Sequence, residues 1–71
     1  IANPDGPLTG HELTIMVNNN SGGALGVITW GTLYRLSAWT NPANATWRNI
    51  TFVYNGTVWV EISRTPADVP N

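Results

Sequence analysis

The 71-residue sequence contains no cysteine, so a disulfide framework and a thiolate metal site are both excluded. It has one histidine, His11, which cannot build an imidazole cluster on its own. Lysine is absent too. Arg35, Arg48 and Arg64 stand against Asp5, Glu12, Glu61 and Asp68, for a formal net charge of −1. So little positive charge leaves no electrostatic footprint for a phosphate backbone, which argues against a nucleic-acid partner. No run of about 18 apolar residues is present to cross a membrane as a helix, and the N-terminus lacks the basic-then-apolar order of a signal peptide. Membrane insertion and an export signal of its own are therefore not expected. Because it starts at Ile1 rather than methionine, the chain reads as a fragment or processed piece of something longer.

Charge of either sign is scarce, at 10% of residues against the roughly 25% typical of soluble domains. Catalysis needs proton-exchanging or nucleophilic groups held within hydrogen-bond reach of one another. Here the four carboxylates are spread over the N-terminal stretch, an early strand, a later strand and the tail, with no spacing that pairs them locally. His11 beside Glu12 reads as a surface pair where a strand begins, since no third partner is visible. The expectation is a non-enzyme without cofactor or metal.

What is abundant is apolar surface, at 42% of residues including four tryptophans. A domain this short buries too little to be more than marginally stable unless something staples it. With disulfides and thiolate metal sites excluded, association with other copies is the staple to expect.

Along the chain, residues 1–10 are crowded with Asn3, Pro4, Asp5, Gly6, Pro7 and Gly10, turn formers that suit a linker from an upstream region. Residues 12–17 alternate Leu13, Ile15 and Val17 with Glu12, Thr14 and Met16, the period of a half-buried strand. The Asn-Ser-Gly run at 18–23 reads as a loop. Residues 27–30 and 33–38 are β-rich and separated by Gly31, which marks a tight turn, a bulge or a close backbone approach. Residues 39–45 form a second connection. Pro66 and Pro70 are expected to stop pairing, leaving residues 65–71 as an extended surface tail. No segment has helical apolar spacing over ten or more residues. The expected fold is all-β: a small antiparallel sheet or sandwich-like module of about five short strands, with one domain at residues 11–64.

The most informative stretch is 49–62. Two β-rich runs flank Asn55 and Gly56, a pair suited to a type I′ turn, which predicts an antiparallel hairpin with a two-residue loop and Tyr54 opposite Thr57. In that register one face carries Ile50, Phe52, Tyr54, Trp59 and Glu61, and the other Thr51, Val53, Val58, Val60 and Ile62. Both faces have apolar side chains to cover, so one is expected to serve the chain's own core and the other its neighbours. Val53, Val58, Val60 and Ile62 are the expected assembly face, although the hairpin by itself leaves open which face points inward. Arg48 and Arg64 end the two strands with Glu61 in reach of both, an arrangement that could fix the register of assembly if buried between chains.

The aromatic side chains have two readings. Trp59, opposite Phe52, reads as core or interface. Trp39 and Trp47 flank the loop with Asn41 and Pro42 and are candidate glycan contacts as well as packing residues, because rings stack on sugar faces and loops carry binding residues. Glycosylation triplets begin at Asn19, Asn44, Asn49 and Asn55 and read as chance in an Asn- and Thr-rich β sequence.

The runs Leu13, Thr14, Ile15, then Ile28, Thr29, Trp30, then the whole of 50–64 close to a chain end, together resemble the C-terminal modules of phage tail spikes and tail fibres. The resemblance covers roughly residues 10–65. It implies a non-catalytic homotrimer that caps the shaft of the same polypeptide in the virion, assists its registration, and sometimes touches a host surface polysaccharide. Asn55, Gly56 and Trp59 carry over as turn and core positions, and no catalytic residue does. The number three comes from the resemblance alone. A carbohydrate-binding module recognising a cell-surface glycan through exposed tryptophans is the alternative.

Overall fold

The computed structural model describes residues 1, 3, 6 and 8–71. Pro4, Asp5 and Pro7 of the expected linker lie outside the described residues. The chain is all-β, with strands β1 (Glu12–Asn19), β2 (Tyr34–Arg35), β3 (Thr46–Tyr54), β4 (Trp59–Arg64) and β5 (Val69–Pro70) in one curled sheet. The path runs β1-β3-β4-β2, and β5 pairs with the other end of β3. β1, β4 and β5 are antiparallel to β3, whereas β2 runs parallel to β4, so the sheet is mixed.

β1 forms where alternation predicts it. Leu13, Ile15 and Val17 are partly buried on the inner face, and Glu12, Thr14 and Met16 are exposed on the outer one. The strand runs on through Asn18 and Asn19, beyond the predicted end, because β3 extends back to Thr46 and pairs with both.

The hairpin differs from its expected register. Tyr54 lies opposite Trp59, Val53 opposite Val60 and Phe52 opposite Glu61, so the connection is four residues long, not two. Asparagine is the physical reason. Its carboxamide Oδ1 accepts from the backbone N–H of Thr57 at 3.0 Å and of Val58 at 2.9 Å, while Asn55 N donates to Val58 O at 3.1 Å. A side-chain-closed turn of this kind competes with the type I′ alternative, which needs two positive φ angles, and within residues 55–58 only Gly56 takes one, at 100°. The slip is two residues, so the sorting of side chains onto faces survives it. It does not survive the whole length of β4. Thr51 pairs with Ser63 while Phe52 pairs with Glu61, leaving Ile62 as an extra residue, and this bulge turns Arg64 to the inner side opposite Ile50.

The inner face is the one with Ile50, Phe52 and Trp59, which with Tyr34 form the core. Leu13, Ile15, Trp30, Leu33, Leu36, Trp39 and Tyr54 pack around them. Ring pairs dominate: Tyr34 meets Phe52 at 5.0 Å, Trp30 meets Tyr34 at 5.4 Å and Trp39 at 5.7 Å, and Tyr54 meets Trp59 at 5.3 Å. Edge-on and tilted contacts at these separations suit the ring quadrupoles. Among the described residues no second sheet covers the inner face. The irregular stretch between β1 and β3 does so, by dropping Trp30, Leu33 and Trp39 onto it.

Two further expectations are corrected. Residues 27–30 form no strand: Val27 is 97% exposed, and Trp30 is instead drawn into the core. Gly31 explains part of this. A Cβ there would fall 2.3 Å from Asn3 Oδ1, and Gly31 N donates to Ile1 O at 2.6 Å, so the glycine permits a close backbone approach, the third of its predicted roles. The tail, in turn, is paired. Val69 and Pro70 lie opposite Trp47 and Thr46, and Asn71 N donates to Ala45 O at 3.1 Å. β5 is only two residues long and lies at the sheet margin, where one proline costs little pairing.

Candidate functional site

The residues that the sequence singles out are divided between the outer face of the sheet and its inner side. The outer face of the sheet carries Thr14 and Met16 from β1, Trp47, Asn49, Thr51 and Val53 from β3, and Val60 from β4, by strict alternation along the continuous ladder of β1 with β3. Thr14 Oγ1 and Thr51 Oγ1 share a hydrogen bond at 2.9 Å across it. Met16 is 59% exposed and Ile62, in the bulge, 53%, while Val53 and Val60 are half-buried side by side. Of the expected assembly residues, Val53 and Val60 therefore meet on this face with Ile62 beside them. Val58 does not reach the sheet, because the longer turn absorbs it.

Arg48, Glu61 and Arg64 are not brought to that face. Arg64 binds Glu61 through Nε and, at 2.8 Å, through Nη2, and its guanidinium also donates to the carbonyls of Ser37 at 3.1 Å and Ala38 at 2.9 Å. It lies 5.6 Å from the centre of the Trp39 ring. Glu61 Oε1 accepts Ser37 N at 3.0 Å as well. The pair thus ties the chain after β2 onto β4, and the Arg64 hydrogen bonds, with Ser37 N, hold the Glu61 carboxyl below the usual carboxylate range despite its partial burial. Arg48 takes a different acid from the expected one. Its Nε meets Asp68 Oδ1 at 2.5 Å, and Asp68 Oδ2 accepts Ala43 N at 3.2 Å, which lowers the Asp68 pKa and fastens the tail to β3. Distance explains the choice: Glu61 sits opposite Phe52, four residues along β3 from Arg48.

Trp39 and Trp47 do not form one platform. Trp39 packs on Trp30 at the inner side with its Nε1 donating to Asn41 Oδ1 at 2.9 Å, whereas Trp47 is a β3 residue on the outer face, opposite Asn18 and Val69. Asn55 and Gly56 make the turn, and Phe52 and Trp59 are in the core. His11 is exposed, with Nδ1 accepting Leu8 N at 3.3 Å. Among the described residues there is no enclosed pocket and no group of three His, Asp or Glu side chains. Among the same residues no helix is long and apolar enough to cross a membrane.

One organising residue escapes the sequence reading. Asn19 is completely buried at the end of β1. Its Nδ2 donates to Gly23 O at 2.9 Å and Pro42 O at 3.0 Å, and its Oδ1 accepts from the N and Oγ of Ser21 at 3.1 and 2.8 Å. The side chain joins two loops that a glycan there would push apart. An asparagine with a serine two positions on is the signal of an Asx turn, visible in the sequence but indistinguishable there from a glycosylation triplet.

No family model, no curated protein and no solved structure matches the chain, so a functional reading rests on these surfaces.

Proposed function

We propose that the chain is a non-catalytic oligomerisation and capping module of a phage tail spike or tail fibre type of attachment protein, and that copies associate through the outer sheet face. The observation that supports this is the state of that face: Met16 and Ile62 are exposed and Val53 and Val60 only half-buried, whereas Trp30, Leu33, Leu36 and Trp39, outside the strands, pack on the inner side. Covering one large apolar side chain contributes roughly 1.5–3 kcal/mol. Association itself costs about 4–15 kcal/mol, so several residues per copy must take part, and the face offers them. The number of copies, three, and the virion setting are what the resemblance implies. Glycan recognition has less support, because the two tryptophans put forward for it sit on opposite faces.

Light scattering at micromolar concentration is the test. The native chain is expected at the mass of an oligomer and Val60→Asp at a smaller mass, the contact through the outer face being lost. Val60 lies beside Arg35 of β2 on the outer face, so the new carboxylate has a cation nearby and the fold is expected to persist, which tryptophan fluorescence reports. A monomeric native chain, or a Val60→Asp variant that keeps the native mass, refutes the reading.

A further inference from the structure

The free edge of β1 is a separate surface. Among the described residues β1 pairs with β3 alone. Tyr54 N donates to His11 O at 2.9 Å and Ala45 N to Asn19 O at 2.8 Å, so the odd-numbered positions turn their backbone groups toward β3. By alternation Glu12, Thr14, Met16 and Asn18 turn theirs outward, where no strand meets them. Edges of this length are normally blunted by lysine, proline, a bulge or inward charge. This one is 8 residues long, has neither lysine nor proline, keeps a continuous register, and carries its one charge at Glu12. The apolar stripe of Leu13, Ile15 and Val17 ends at this margin only partly buried.

We propose that two copies of the chain pair antiparallel through their β1 edges, with Ile15 facing Ile15 across the two-fold axis. The edge itself selects this register. In an antiparallel ladder, outward-facing residues must oppose outward-facing residues to exchange hydrogen bonds. Glu12 opposite Asn18 and Thr14 opposite Met16 is the one antiparallel arrangement that uses all four on both copies, for about eight backbone hydrogen bonds. The same register sets Leu13 against Val17 and Ile15 against Ile15 in the closer, non-hydrogen-bonded positions. The partly exposed stripe then continues across the axis, as an isologous interface requires. No like charges meet, since Glu12 faces a neutral asparagine. This pairing uses the strand edge and the proposed face association uses the sheet face, so neither depends on the other.

The register makes Asn18 the diagnostic position, because it is exposed, lies at the end of the pairing and faces Glu12 of the other copy. Sedimentation equilibrium on the whole chain is compared with Asn18→Asp and Asn18→Lys. Each change counts twice across the two-fold axis. The aspartate is expected to weaken the two-fold step and the lysine to strengthen it, each by roughly 2- to 30-fold. Hydrogen exchange at the Thr14, Met16 and Asn18 amides is expected to slow as concentration rises, in the native chain and in Val60→Asp alike. Asp and Lys variants that shift association in the same direction or not at all, or edge amides indifferent to concentration, overturn the proposal.

Discussion

Asn19 tests most directly whether loop closure in this small fold depends on one buried amide. Replacing it with alanine removes four hydrogen bonds, two donated and two accepted. They are not equivalent. Ser21 and Gly23 are exposed and regain water, so each loss costs at most about 0.5–1 kcal/mol. Pro42 is buried, and its carbonyl has no water to turn to, which costs about 1–3 kcal/mol. The expected total is about 2–4 kcal/mol, a large share of the 5–15 kcal/mol that stabilises a typical domain. For a chain of this size that lowers the melting temperature by about 10–30 °C. Urea unfolding followed by tryptophan fluorescence, at one fixed protein concentration, measures it. Asn19→Asp sharpens the test: it keeps the acceptor that holds Ser21 but sets a carboxylate against the Pro42 carbonyl, and is expected to be at least as damaging as alanine. A loss below about 0.5 kcal/mol in either variant, the level of an ordinary surface change, refutes the reasoning.

Acid should loosen the fold from its two ion pairs. The carboxyls of Glu61 and Asp68 both have folded pKa values lowered by arginine and backbone donors, so their contribution is fully present above the unfolded values near 4 and is lost as pH falls through the folded ones. Unfolding free energy measured from about pH 6 down to pH 2 is expected to fall over that lower range, and to fall less steeply in Glu61→Gln. Gly56→Ala forces a side chain to φ +100° and brings its Cβ to 3.1 Å from Thr9 Oγ1, for an expected loss of about 1–2 kcal/mol in the same urea assay. An unchanged midpoint would mean that the turn relaxes to another form.

Much of the architecture was legible. Alternation at 12–17 and 49–54 located β1 and β3 and sorted their faces, because a period of two survives any even slip of register. The turn around Asn55 and Gly56 was located but not its type, since asparagine can supply either positive φ or a side-chain acceptor, and the choice depends on where Trp59 must sit to pack against Tyr54. The five strands anticipated and the five observed are not the same five: residues 27–30 lost their pairing to the burial of Trp30, and Val69 and Pro70 gained one from the open end of β3.

By itself the sequence determined an all-β chain built on a two-faced hairpin, because β-branched and aromatic alternation is a local property. Only the tertiary structure decided which face is inner, that Arg64 crosses to Glu61 over a bulge, that Arg48 takes Asp68, and that Asn19 is the buried tie between two loops. Each of those depends on a partner 3 to 23 residues away and on where the sheet curls to bring it within reach.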